Sequence, residues 1–288
     1  MVTSRRWVWM AAGVMATLAT GCKEDRETQI TVAITSETKV PDEIDTLEVV
    51  VTDAEGSERS RYPHPVEFQS FFPATLAIIP EDDASIGTPV QVDIRATKGG
   101  ANMVLRRAVV SFVQGRTLLL PMPLRMACFS IESCNATQTC AGGICVPADA
   151  DEDALPDYDP TLVFPDEAGE TCFDEEACLP TSTEEVLDPT TCTFPIPDSE
   201  NVNVSIRWLA APKRVIALDA EDSVEGWVRL DATTGKLSEG VCTAVIEESP
   251  PNKALGVYVS SVCPPKRVNQ PHCDRGKGGG VGAELAAP

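Results

Sequence analysis

Eleven cysteines, two histidines and one dense run of carboxylates are the residues of this chain with the most chemistry to offer. Thiols can be oxidised in pairs, acylated, or used to hold a soft metal. Apart from Cys22, every cysteine lies beyond residue 127: Cys128, Cys134, Cys140, Cys145, Cys172, Cys178, Cys192, Cys242, Cys263 and Cys273. An even set in an exported chain reads as a disulfide framework, which leaves Cys22 as the odd thiol with a separate purpose. Zinc is the rival, but no C-x2-C spacing is present. The carboxylates gather in Asp149-Ala150-Asp151-Glu152-Asp153-Ala154-Leu155. A calcium loop draws side chains from positions 1, 3 and 5 and a main-chain carbonyl from position 7, here Asp149, Asp151, Asp153 and the Leu155 carbonyl. Ala154 stands where the sharp turn wants glycine, and Pro160 where the bidentate acid belongs. The competing reading is a solvated acidic linker.

The rest of the catalytic vocabulary is sparse. His64 and His272 each adjoin proline and are expected on surface loops. A serine hydrolase would need one of them, yet no G-x-S-x-G elbow occurs, and H-E-x-x-H is absent too. A carboxylate pair for glycoside hydrolysis is the one route by which 44 acids leave a hydrolase open. Trp208 and Trp227 have faces able to stack a sugar ring, but core packing is the expected use. The net charge of −21 disfavours nucleic acid, which needs lysine and arginine gathered on a face.

What positions these residues begins with an address. Arg5 and Arg6 precede an apolar run from Trp7 to Ala19, too short to span a bilayer, for which about 20 residues are needed. Residues 1–21 therefore read as an export signal. Its end, Leu18-Ala19-Thr20-Gly21-Cys22, resembles the lipobox of bacterial lipoproteins. That resemblance implies cleavage before Cys22, a diacylglycerol on its sulfur, and a lipidated tether over residues 22–27. Lys23 in place of aspartate implies the outer membrane. Each buried CH₂ of such a chain contributes about 0.8 kcal/mol of membrane affinity.

Between residues 28 and 126 apolar and polar residues alternate in short runs. Ile30, Val32 and Ile34 share one face, as do Leu47, Val49 and Val51. Val66–Gln69, Ala74–Ile78, Val90–Ile94, Val104–Phe112 and Thr117–Leu124 continue the pattern, with Pro41 and Pro65 placed to stop edge pairing. About seven strands of period two predict an antiparallel β-sandwich of immunoglobulin or fibronectin III type. With Val40–Thr46 and Gly115–Leu120, this layout is similar to cell-surface lipoproteins of Gram-negative bacteria, most of which have no assigned activity. The resemblance implies a lipid anchor, an immunoglobulin-like sandwich and a short cysteine cluster.

That cluster, Cys128-x5-Cys134-x5-Cys140-x4-Cys145 over residues 127–147, looks like half of an EGF-type module. The likeness implies the pairs Cys128–Cys140 and Cys134–Cys145, one of three connectivities four thiols allow. The acidic segment, residues 148–160, resembles a bacterial thrombospondin type 3 repeat, which is what a calcium site would imply. Strand-like runs resume over residues 161–273: Thr191–Ile196, Val202–Trp208, Arg214–Leu218, Gly226–Leu230, Val241–Ile246 and Leu255–Val259, with one short helix between Asp174 and Leu187. In this smaller stapled β domain, Cys172–Cys178 and Cys263–Cys273 are expected as local loops, leaving Cys192–Cys242 to cross-link the sheet. Glycine-rich residues 274–288 read as a disordered tail.

The sequence thus describes a mainly β, disulfide-rich, lipid-anchored envelope protein acting as a non-catalytic interaction or structural module. Its partners are the membrane, through the N-terminal lipid, and an unidentified envelope protein or surface ligand. No cofactor is implied unless the acidic run takes calcium, which would make it a calcium-dependent adhesion or ligand-binding protein. An unrecognised hydrolase is the third reading.

Overall fold

The computed structural model describes residues 27–68, 71–131, 134–164, 172–247 and 252–273. The signal, Cys22 and the tail lie outside them. The period-two runs form a sandwich of seven strands: β1 (Gln29–Ile34), β2 (Thr46–Thr52), β3 (Glu58–Pro65), β4 (Ala74–Ile78), β5 (Pro89–Lys98), β6 (Ala101–Ser111) and β7 (Thr117–Pro121). One sheet has the order β4-β1-β7, the other β3-β2-β5-β6. Val32 faces Leu76 on one side and Leu120 on the other, and Val49 faces Ile94. Ile30, Val32, Ile34, Leu47, Val49, Val51, Val92 and Ile94 are buried in the layer between the sheets. The apolar face predicted from alternation is therefore the core face.

Two details depart from the expected antiparallel arrangement. β1 lies between β4, which runs antiparallel to it, and β7, which runs parallel to it, so this sheet is mixed. The strand expected at Val66–Gln69 forms earlier, as β3, and runs through Pro63 and Pro65. A proline cannot donate to a ladder, and β3 tolerates two because it is an edge strand paired on one side only, with β2.

Beyond the sandwich, β8 (Gln138–Ala141) and β9 (Ile144–Pro147) form a hairpin. Its two-residue turn, Gly142-Gly143, has φ of +57° and +95°, which the tight hairpin connection needs and β-carbons resist. Disulfides Cys128–Cys140 and Cys134–Cys145 hold this hairpin to the chain entering it. The acidic segment after it does not hang free. Ala148 accepts from Val109 N–H and Ala150 donates to Val109 C=O, both at 2.8 Å, so the chain adds to the edge of β6. Further on, Leu119 N–H donates to Pro156 at 2.9 Å and Tyr158 N–H to Thr117 at 2.7 Å, along β7.

The second half holds α1 (Glu175–Cys178), β10 (Thr183–Glu185), β11 (Thr193–Pro195), β12 (Asn203–Trp208), β13 (Val215–Ala217), β14 (Trp227–Asp231), β15 (Thr234–Leu237), α2 (Glu239–Ile246) and β16 (Ala254–Ser260). They make the sheets β10-β16-β12-β13 and β11-β15-β14. Val241–Ile246, expected as a strand, is the body of α2. A short apolar run with β-branched residues carries no decisive period, and Ser238 with Glu239 supplies a helix start. Val241, Cys242 and Ala244 turn their side chains into the core.

Cys192 bonds Cys242, tying the turn before β11 to α2. The other two pairings differ from the expected local loops Cys172–Cys178 and Cys263–Cys273. Cys172 bonds Cys273 and Cys178 bonds Cys263, over separations of 101 and 85 residues. The reason is a short parallel contact between Phe173 and His272, with Phe173 N–H on Pro271 and Cys273 N–H on Phe173, which brings the two ends of this half side by side. α1 then delivers Cys178 to the far end of β16, where Ser260 Oγ donates to its carbonyl at 2.6 Å.

A single hydrophobic cluster runs from Ile30 through Met126 and Phe129 to Val204, Trp208 and Val259, so both halves share one core. At its waist, a β-carbon on Gly240 of α2 would lie 2.1 Å from the Gly142 carbonyl oxygen. Gly240→Ala is therefore expected to force helix and hairpin apart, lowering stability by about 1–3 kcal/mol in a denaturant titration. An unchanged midpoint would refute this packing.

Candidate functional site

Arg125 follows β7 between the buried residues Leu124 and Met126, a placement that leaves its guanidinium nowhere to go but inward. There Nη1 donates to Glu37 Oε1 at 3.0 Å, and Nη2 to Asp219 Oδ2 and to Asn269 Oδ1 at 3.2 Å. Glu37 comes from the loop after β1, and its Oε2 also accepts from Met126 N–H at 2.7 Å. Asp219 comes from the loop after β13. Its Oδ2 accepts from Asn269 N–H at 2.7 Å, and its Oδ1 from Lys266 Nζ. Lys266, fully buried, is delivered by a clamp: Asn203 on β12 donates to the Cys263 and Pro264 carbonyls at 2.9 and 3.1 Å and accepts Lys266 N–H at 2.8 Å.

The charges in this node set one another. Burial alone would raise Asp219, but Arg125 and Lys266 outweigh it and hold the carboxyl at about 2. Burial alone would lower Arg125, and Asp219, Glu37 and Glu225 reverse that. For Lys266 burial wins over the pull of Asp219, and the ammonium sits below its ordinary range. Alongside, Arg106 of β6 holds Glu225 through contacts of 2.6 and 3.3 Å, again joining sandwich to second half.

Beside the node opens a polar cleft of about 230 Å³, lined by residues 36–40 and by Asp42, Glu175, Arg214, His272 and Cys273. Arg214 Nη2 donates to Glu43 Oε2 at 2.7 Å and to the Glu37 carbonyl at 2.8 Å, fixing one wall. Ser36 and Thr38 share a hydrogen bond of 2.6 Å between their hydroxyls. Glu175 Oε1 accepts from Ala217 N–H at 3.2 Å and lies 3.2 Å from His272 Nδ1, off the line of a hydrogen bond. Burial would raise the Glu175 carboxyl; His272, Ala217 N–H and Arg214 together pull it down to about 2. Among the described residues both ring nitrogens of His272 are buried without a hydrogen-bond partner, and no hydroxyl there is joined to this histidine as nucleophile to base. The cleft is smaller than the roughly 300–1,000 Å³ of ordinary small-molecule sites, and it suits a small polar group.

The residues singled out from sequence are scattered. His64 lies within β3 and not on a loop, His272 lies in the segment after β16 where it bridges to Phe173, and both are partly buried. Trp208 and Trp227 are fully packed in the core. Asp149 bridges to Val109, Asp151 Oδ1 accepts Asp153 N–H at 3.1 Å, and the Leu155 carbonyl accepts from Arg116 Nη2 at 2.8 Å. Among the described residues no three His, Cys, Asp or Glu side chains converge on one metal position. Conversely, nothing in the sequence marked Arg125, Asp219 or Lys266. The available hint was rigid Pro264-Pro265 just before a lysine.

No family model matches the chain, and no curated protein matches it. Among solved structures it is similar to a crystal structure of "putative polysaccharide binding proteins (DUF1812)" from Bacteroides thetaiotaomicron VPI-5482. That likeness has 8% identity and a TM-score of 0.23, and covers 73% of this chain and 70% of the other. At that level it carries no argument about fold or ligand.

Because the Glu175 carboxyl falls from 4.5 to about 2 on folding, it contributes stability above pH 4.5 that is lost as pH drops towards 2. Glu175→Gln is expected to lower the melting temperature at pH 7 and to flatten its decline between pH 5 and 2. Parallel pH profiles for the two chains would refute the assignment.

Proposed function

We propose that this chain is a lipid-anchored module of the bacterial cell envelope, held to the outer membrane through Cys22 and serving as a non-catalytic binding or structural protein. The observation that carries the reading is the thiol balance. All ten cysteines beyond Cys22 are paired in five disulfides, the state of a protein in an oxidising, extracytoplasmic space. That leaves the lipobox-like cysteine as the one thiol with no partner of its own kind. No helix among the described residues is long and apolar enough to cross a membrane; in this reading the N-terminal lipid is the anchor.

The non-catalytic part rests on geometry. Among the described residues no hydroxyl is hydrogen-bonded to His64 Nε2 or to either ring nitrogen of His272, and Arg214 at the cleft is engaged with Glu43, tying second half to sandwich. A rigid body with shared core and long-range disulfides suits presentation of a surface to a partner. Calcium-dependent adhesion and hydrolysis, the alternatives open to the sequence, have no particular contact in their favour.

Metabolic labelling with an alkyne fatty acid, followed by fractionation, tests the anchor. The wild-type chain is expected to take the label and sediment with outer membrane, while Cys22→Ala is unlabelled and released as soluble protein. An unlabelled wild-type chain with a free N-terminal thiol would overturn the reading.

A further inference from the structure

Lys266 is hard to account for as an ordinary ion-pair residue. It is fully buried, and an ammonium brings three N–H donors. Among the described residues its side chain has a single acceptor, Asp219 Oδ1. The arrangement leaves two donors without partners in a place where burial already opposes the charge. Arg125 Nε is the other buried donor of this node without a hydrogen-bond partner, but Lys266 is the side chain with two of its three donors unmatched among the described residues. An amide nitrogen in the same position would carry one N–H.

Asp219 is held as an electrophile would be. Oδ1 faces the amine, while Oδ2 accepts from Arg125 Nη2 and from Asn269 N–H at 2.7 Å. A cation and a backbone donor on one carboxylate oxygen are the groups that stabilise negative charge gathering there when the carbon is attacked. The Asn203 clamp fixes the Lys266 backbone, and the core around Ile216 and Leu218 fixes the strand that delivers Asp219. Reactants oriented in this way reach effective molarities on the order of 10⁵–10⁸ M.

We propose that Lys266 and Asp219 condense to an intramolecular isopeptide bond, a covalent cross-link between the loops after β16 and β13. The atoms balance within the pair. The ammonium first gives one proton to Oδ1, the neutral amine then attacks the Asp219 carboxyl carbon through its lone pair, and a second Nζ proton follows to Oδ1. The Cγ–Oδ1 bond breaks and one water leaves; Nζ keeps its last proton as the amide N–H. Negative charge passes transiently to Oδ2, under Arg125 and Asn269 N–H, and returns as the amide carbonyl. No oxidant, metal or co-reactant is needed. The product removes one positive and one negative charge together, so Arg125 and Arg106 remain balanced by Glu37 and Glu225. It also replaces a desolvated ion pair with a neutral group, which removes the penalty that burial imposes on both partners.

The bond would close a loop of 47 residues inside the region already spanned by Cys172–Cys273 and Cys178–Cys263. Unlike those bridges it resists reduction. The second half would stay topologically tied if its disulfides were opened at the cell surface.

Peptide mapping of the full chain by mass spectrometry, after reduction and alkylation, tests this. The expected result is a branched tryptic peptide containing both Asp219 and Lys266, one water lighter than its two linear parts, with no cleavage after Lys266. Lys266→Arg, which keeps the charge but cannot form the bond, is expected to give the full mass at Asp219. Recovery of wild-type Lys266 and Asp219 only in linear peptides would overturn the proposal, as would a water loss mapping to any other residue pair. The wild-type measurement decides the matter even if the variant fails to fold.

Discussion

A guanidinium buried to 5% exposure is the constraint around which this chain is arranged. An arginine charge cannot be left in an apolar interior without partners, because the cost of removing its water is several kcal/mol or more. Arg125 finds Glu37 88 residues before it, and Asp219 and Asn269 94 and 144 residues after it. Those groups meet only when the loop after β1, the loop after β13 and the segment after β16 are all in place. The ion node therefore adds little net stability over an apolar plug. Its effect is to penalise any arrangement in which one half is docked wrongly. Arg106–Glu225 and Arg214–Glu43 repeat the device at its margins, each joining the sandwich to the second half.

The disulfides act on a different state. The pairs Cys172–Cys273 and Cys178–Cys263 close loops of about 100 and 85 residues and so remove entropy from the unfolded chain, by roughly 4–5 kcal/mol each in the loop-closure treatment. Their strands are short: β10, β11 and β13 have three residues each. Such a half gains its order from bridges and from sharing the sandwich's core, and not from strand pairing alone.

How far the sequence disclosed this depends on whether the signal is local. Alternation placed β1, β2, β5, β6 and β7 because a half-buried strand writes its own pattern. β3 was misplaced by its two prolines, whose acceptability depends on being at an edge, a property of the sheet and not of the segment. α2 reads as a strand because Val241–Ile246 is short and rich in β-branched apolar residues, and only Val241, Cys242 and Ala244 of it are buried in the core. The hairpin cluster of four cysteines packs its thiols close in sequence and close in space. The four outer cysteines pair across the whole second half, so sequence proximity misled there. The candidate site was the least visible part. Asp219 and Lys266 lie 47 residues apart, and only long-range packing puts one against the other. The acidic run uses Asp149, Glu152 and Asp157 to fasten itself along β6 and the approach to β7, contacts that no local pattern announces.

The claim that one buried ion node makes sandwich and second half a single cooperative body is tested most directly by native-state hydrogen exchange across a denaturant series, with the disulfides intact. Amides of β2 and β5 in the sandwich and of β12 and β16 in the second half are expected to converge on one opening free energy and one denaturant dependence. Two separate isotherms, with the second half opening while the sandwich stays protected, would contradict it.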